Sequence, residues 1–346
     1  MEKLLTVVVP AYNAEKYLQK CLSSFIINSE LSQSLEVLVV DDGSSDATAQ
    51  IAEQFEDRYP QTFRVLSKEN GGHGSVINTG AALAAGKYLK VVDADDWVIT
   101  ENLEKLLNFL GETDADAVVT AFHKVDESTG RTELFFPDCD CGKTYSLEDA
   151  LQIFPRVYAC FSFHGIFYKT EAYRRTGFLL SEKVFYEDNE FATVPFRAVE
   201  TIRFFPESVY QYLIGSAGQS VSFRNQIKRQ DDIRKVAVRI LEDKNRFVPA
   251  GSPLERYYLM KLEIVVASYY SAVMVKNPDK KNGRALAARF REVIRNGDRQ
   301  LYAVTDRKYK TLLLFNIIHF SPQIYQSLAR KGLLRAVQGI WARPAQ

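Results

Sequence analysis

The sequence predicts an α/β fold, a Rossmann-like and mostly parallel sheet flanked by helices, followed by an all-helical C-terminal region. Three observations carry that expectation. Short β-branched apolar runs alternate with stretches of helical periodicity between residues 4 and 92, and Asp-, Gly- and Ser-rich loops follow several of those runs. Beyond about residue 228 the strand pattern gives way to helical spacing.

Residues 4–9 are continuously apolar, as expected of a strand buried on both faces, and Pro10 ends it. From Ala14 the positions Tyr17, Leu18, Cys21, Leu22 and Phe25 recur at helical spacing. Residues 35–40 form the next strand, and Ser45 or Asp46 is placed to cap the helix that carries Ile51, Ala52 and Phe55. A third strand, Phe63–Ser67, leads into the Gly-rich loop 70–75 and a small-residue helix over 76–85. Residues 87–92 return to the sheet. Thr100 is expected to cap a helix with the stripe Leu103, Leu106, Leu107 and Leu110, and residues 117–123 read as another strand. Further on, residues 161–168 read as an aromatic strand, 186–191 as the opening of a helix, and 209–214 as a strand. Tyr258, Leu262, Val265, Val266, Tyr269 and Val273 then run at helical spacing. The expected division is an α/β domain over 1–228, with halves 1–115 and 116–228, and a helical domain over 229–346.

With 346 residues, 46% of them hydrophobic, the chain has material for a large core and more than one domain. A signal peptide is not expected ahead of the first strand, and the longest apolar stretches, such as 311–318, fall short of the ~20 residues that span a bilayer. Cys21, Cys139, Cys141 and Cys160 read as reduced thiols of a cytoplasmic protein, and Cys139 and Cys141 lack the matching pair of a zinc site. The formal net charge of +1 hides an asymmetry: residues 307–346 hold Lys and Arg but no Asp or Glu. With the apolar residues of that tail and Trp341, this points to peripheral attachment at an anionic membrane surface on the inner face as well as to helix packing. Nucleic acid is not expected as a partner, because the basic residues interleave with no recognisable motif.

The chemistry concentrates at residues 88–97, an apolar run ending in Asp93, Asp95 and Asp96. Alternation along a strand points Asp93 and Asp95 the same way, and two like charges held that close call for a cation. Hard carboxylate ligands at the carboxyl end of a sheet suit Mg²⁺ or Mn²⁺ carrying a phosphorylated substrate. An acidic loop without a ligand is the alternative.

Five stretches in order, Val8-Val9-Pro10-Ala11-Tyr12-Asn13, Val39-Val40-Asp41-Asp42-Gly43-Ser44-Ser45-Asp46, Asn70-Gly71-Gly72, Val92-Asp93-Ala94-Asp95-Asp96-Trp97 and Tyr186-Glu187-Asp188, resemble the family-2 inverting glycosyltransferases of the GT-A fold. The resemblance implies a metal-dependent enzyme that uses a nucleotide sugar, of the uridine diphosphate type, and a glycan or lipid-linked acceptor in surface-polysaccharide synthesis. It makes 1–115 the nucleotide-sugar half and 116–228 the acceptor half. It places Pro10, Ala11, Tyr12, Asn13, Asp42, Asn70, Gly72, His73, Asp93 and Ala94 around the nucleotide, and Mn²⁺ or Mg²⁺ on Asp95 and Asp93, with Asp96 in support. It makes Asp188 the base, with Glu187 orienting it or the donor sugar. Phe163 and His164 are expected to line the acceptor site. One departure stands out: Ile77 occupies the position where many relatives have an Arg. His73, Arg224 or Lys228 would then supply the missing cation, unless the metal suffices. A nucleotide-sugar-binding module without turnover is the rival reading.

Overall fold

The computed structural model describes residues 3–27, 30–215 and 223–330, with two compact units, Met1–Ala217 and Gly218–Gln346. In the first unit, β1 (Leu5–Ala11) and β2 (Leu35–Asp41) are buried along their whole length, which explains why both are mainly apolar rather than alternating, with the buried Thr6 hydroxyl donating to Glu36 Oε2 at 2.5 Å between them. With β3 (Phe63–Ser67) and β4 (Tyr88–Val91) they make the parallel half of the sheet. Four helices accompany it: α1 (Glu15–Ser23), α2 (Thr48–Arg58), α3 (His73–Leu83) and α4 (Thr100–Glu112). The stripes Leu18, Cys21, Leu22 on α1 and Leu103, Leu106, Leu107, Leu110 on α4 are buried in the same core as Val7, Val9, Val37 and Val39. The small residues of α3 let it lie close on the sheet: a Cβ at Gly80 would sit 2.5 Å from Val8 Cγ1.

Beyond β4 the sheet is mixed. Its remaining strands are β5 (Trp97–Val98), β6 (Ala117–Asp126), β7 (Thr132–Phe135), β8 (Thr144–Ser146), β9 (Ile166–Lys169) and β10 (Thr201–Ile214). The order is β3-β2-β1-β4-β9-β6-β10-β5, with β7 on β6 and β8 on β10. The short β9 runs antiparallel to both β4 and β6, and so reverses the sheet at the strand that carries the acidic motif.

Several local expectations are corrected. Helix α3 begins at His73, three residues early. Thr100 is already helical, and its hydroxyl donates to Ser24 O at 2.8 Å instead of capping. The first position before α2 is Ala47, and Asp46 braces the helix from one residue upstream by accepting from Thr48 N at 3.0 Å. The aromatic strand over 161–168 shrinks to β9, because Lys90 Nζ donates to the carbonyls of Phe163, His164 and Ile166. Carbonyls gathered on one ammonium are not spread along a ladder, so residues 162–165 form a turn closed by Gly165 N donating to Ser162 O. The helix opened by Tyr186 is a single turn, Asp188–Phe191.

The second unit is helical, with Gln230–Phe247, Pro253–Tyr270, Lys280–Gly297, Arg299–Ile317 and Pro322–Arg330 as its longer helices. Pro253–Lys276 has the length and hydropathy of a membrane span, but 61% of that window is buried inside the protein, as in a core helix. Within the unit Lys244 bridges Glu255 and Asp298 at 2.8 and 2.6 Å. Residues 331–346, including Lys331, Arg335, Trp341 and Arg343, lie outside the described residues, as do the side chains of Arg224 and Arg330.

Candidate active site

The loops at the carboxyl ends of β1, β2 and β4 converge in the first unit. Asn13 joins two of them: its Oδ1 accepts from Ser45 N at 2.9 Å and its own N–H donates to Ser44 Oγ at 3.0 Å, with the backbone at φ +48°. That left-handed conformation turns the chain just after Tyr12, which is 55% exposed, while Pro10 and Ala11 are buried at the end of β1. Asp41 accepts from Ser44 N within its own loop. Asp42, 2% exposed, reaches the third loop, where its carboxylate accepts from Lys68 Nζ (2.9 Å), Gly71 N (2.9 Å) and Gly72 N (2.7 Å). Asn70 is exposed beside it. Gly72 adopts φ +85° and packs where a Cβ would lie 2.8 Å from Lys183 N, so a side chain there is excluded twice over.

The same loop delivers His73 to the centre of the site. Its Nε2 lies 2.9 Å from Asp93 Oδ1 and its Nδ1 lies 2.6 Å from Glu187 Oε1. Burial works against a charge on this ring, yet Asp93 and Glu187 together raise its pKa well above the usual imidazole value, so both ring N–H groups donate. Asp93 is correspondingly held below the ordinary carboxylate range, against its burial, by His73. A cationic imidazolium therefore ties the acidic strand end to the Glu187-Asp188 turn.

Asp93, Asp95 and Asp96 each present a carboxylate oxygen within 4.8 Å of the others. Asp96 is fixed by β10, accepting from Tyr210 OH at 2.5 Å and from Leu213 N at 2.7 Å. Burial first, then the charges of Asp95 and Asp93, push its carboxyl well above the usual range. Three crowded carboxylates whose repulsion is expressed in this way form an all-oxygen donor set that fits Mg²⁺ or Mn²⁺.

Glu187 is 4% exposed, and its Oε2 has no hydrogen-bond partner among the described residues. A buried carboxylate oxygen left without a donor is suited to accept from a ligand hydroxyl. Asp188 is half-buried, with Asn189 Nδ2 donating to it at 2.9 Å. Burial and the neighbouring Glu187 raise its carboxyl to about 7, the range of a working general base. Tyr186, immediately before the pair, sits at φ +74°. Such strain in a bulky residue persists only where the surroundings impose it. Here Lys183 N donates to Gly71 O, and the buried Glu190 accepts from Ser181 N and Oγ at 2.7 Å each.

On the remaining side stands an aromatic wall. Phe163 is 3% exposed and packs on His73, His164 and Phe191, so its role is to position the others rather than to present a face. His164 is half-buried, and burial lowers its pKa to about 3, which keeps it neutral. Lys90, Tyr210 and Tyr212 were not singled out by sequence reasoning. The one signal was a charge at Lys90 within an otherwise apolar strand. Of the candidate replacements for the family Arg, His73 is in the site and Lys228 belongs to the other unit. Ile77 itself is fully buried in α3.

The family model described as Glycosyl transferase family 2 matches residues 6–198. EpsH of Bacillus subtilis is 26% identical over 84% of this chain and 81% of its own length. Glycosyltransferase GlyA of Streptococcus pneumoniae is 28% identical over 63% of this chain, but the match spans only 34% of GlyA. Among solved structures, residues 1–349 of Staphylococcus aureus TarS in complex with UDP-GlcNAc superpose with TM-score 0.64 at 19% identity, covering 95% of this chain and 92% of that one. The mannosyltransferase PcManGT of Pyrobaculum calidifontis, in complex with GDP-Man and Mn²⁺, gives TM-score 0.53 at 18% identity, covering 92% and 87%. At these identities the structural likeness speaks for the fold, that of the GT-A enzymes.

Proposed function

The chain belongs to glycosyl transferase family 2, and on that premise we propose that it is a metal-dependent inverting enzyme. In this reading it moves a sugar from a nucleotide sugar, of the UDP type, to a glycan or lipid-linked acceptor in cell-surface polysaccharide synthesis. The observation that carries the proposal is the line Asp93, His73, Glu187, which joins the diphosphate side of the site to the acceptor side through two short hydrogen bonds.

Tyr12 lays its exposed ring against the base, and the loop ordered by Asp42 closes around the ribose. Asp95 and Asp93 hold Mn²⁺ or Mg²⁺, which when bound neutralises the diphosphate as it leaves. Glu187, with one oxygen fixed by His73, receives a donor-sugar hydroxyl on the other. Asp188 takes the proton of the acceptor hydroxyl as that oxygen attacks the anomeric carbon in a single displacement. His73 supplies a cation at a site where Ile77 provides none.

Mn²⁺-dependent release of nucleoside diphosphate, assayed across a panel of UDP- and GDP-sugars, tests this reading; indifference to metal with every donor sinks it. The acid-free tail extends the proposal to an anionic membrane surface at the cytoplasmic face. Leu314, Ile317, Ile318 and Ile324, each more than half exposed, lie within it. Flotation with anionic liposomes should fall when Arg330, Lys331, Arg335 and Arg343 are neutralised, since each basic residue adds ~1 kcal/mol at such a surface. Unchanged flotation removes the membrane claim.

A further inference from the structure

We propose that Tyr212 forms the floor of the acceptor subsite. The inference rests on the glycosyl-transfer reading above and deepens it. Four rings form a column leading toward the acidic centre: Phe135 stacks on Phe122 (4.9 Å, 11°), Phe122 on His164 (5.2 Å, 27°), and His164 on Tyr212 (4.0 Å, 30°). Both faces of His164 are therefore taken, and Phe163 is buried. Tyr212 is the end of the column and is only half-buried. Among the described residues no further ring or cation lies over it.

Its position within β10 fixes where that end points. Tyr210, two residues earlier and so on the same face, bonds Asp96 through its hydroxyl and accepts from Asp93 N at 3.2 Å. Leu213 N, one residue later, bonds Asp96 again. The Tyr212 ring thus rises beside the acidic motif. Lys90 steadies it indirectly, because it gathers the carbonyls of the turn that presents His164.

An aromatic face with a negative quadrupole suits the C–H face of a pyranose.

The test uses the full chain saturated with UDP and Mg²⁺, and saturation-transfer NMR with methyl glycosides of glucose, galactose, mannose and N-acetylglucosamine. At least one glycoside binds. Tyr212→Phe keeps that binding, whereas Tyr212→Leu, which fills the space without a ring, weakens it by about tenfold. Binding of UDP and Mg²⁺ measured by calorimetry in the same samples stays unchanged in both variants. Equal binding by Tyr212→Leu and wild type, or no glycoside binding at all, overturns the inference. Failure of the wild type to bind UDP and Mg²⁺ instead sinks the underlying reading, and the inference falls with it.

Discussion

Asp188→Asn lowers kcat by about 10²- to 10⁴-fold, the usual contribution of a positioned general base, while the affinity for nucleotide sugar and metal stays within about twofold. The expectation follows from what the site asks of this side chain. The two substituents of the anomeric carbon that exchange lie on opposite sides, so one carboxylate on the acceptor side suffices. The pH dependence is a second signature. Because burial and Glu187 raise the Asp188 carboxyl to about 7, the proton-accepting form grows in as pH rises, and kcat/KM climbs with unit slope below that value to a plateau above it. The stability effect runs the other way. A carboxyl whose folded pKa is raised contributes stability below its unfolded pKa of ~3.9 and loses it as pH rises through the folded value near 7. The Asn variant is spared that loss, so at pH 8 its Tm equals or exceeds that of wild type. A dead variant with a lowered Tm at pH 8 would point to damage to the fold rather than to removal of the base.

Asp95→Ala abolishes the thermal stabilisation that Mn²⁺ and the donor confer together. Ligand at about 100 times its Kd adds roughly 2.7 kcal/mol to the stability of the folded protein, readable as a rise in Tm. Asp95→Ala is expected to show almost none of it, and to lose on the order of 10²- to 10³-fold in turnover, since a Lewis acid supplies several kcal/mol of charge stabilisation. Without metal the same variant should be no less stable than wild type. Burial and the charges of Asp95 and Asp93 push the Asp96 carboxyl upward, and removing Asp95 relieves part of that repulsion. Asp96→Ala behaves differently, because it strands the Tyr210 hydroxyl and Leu213 N–H that it accepts from, and so destabilises the fold even without metal. Equal stabilisation of Asp95→Ala and wild type by Mn²⁺ and donor would remove Asp95 from the metal site.

Much of this architecture was legible in the residues. Strands β1 and β2 are buried along their whole length, so their Val-rich runs could hardly be read otherwise. Asp93-Ala94-Asp95-Asp96 stands out as a knot of carboxylates, but they gather in a turn beyond β4, closed by Asp96 N donating to Asp93 O at 2.9 Å, and not through the strand alternation expected of them. The mixed half of the sheet was not legible. Residues 161–168 have the composition of a strand, but whether they pair is decided by Lys90, some 75 residues away, which draws three of their carbonyls onto one ammonium. The His73 bridge hides for the same reason, since Glu187 lies 114 positions downstream and no local pattern encodes their meeting. Tyr212 does not stand out in the sequence, because one Tyr in an aromatic-rich strand looks like any other until its stacking column is seen. The missing Arg at Ile77 was legible as a departure, and His73 was legible as one of three candidate cations; its bridge between Asp93 and Glu187 was not.

The central claim is a single in-line displacement driven by Asp188 from an activated nucleotide sugar, and its most direct measurement is the anomeric configuration of the product. Proton NMR of the newly formed glycosidic linkage, an acetal that does not mutarotate, reports this through the anomeric coupling constant. The account predicts inversion relative to the donor. Retention of configuration would contradict it, because retention needs a second displacement that this arrangement of carboxylates does not provide.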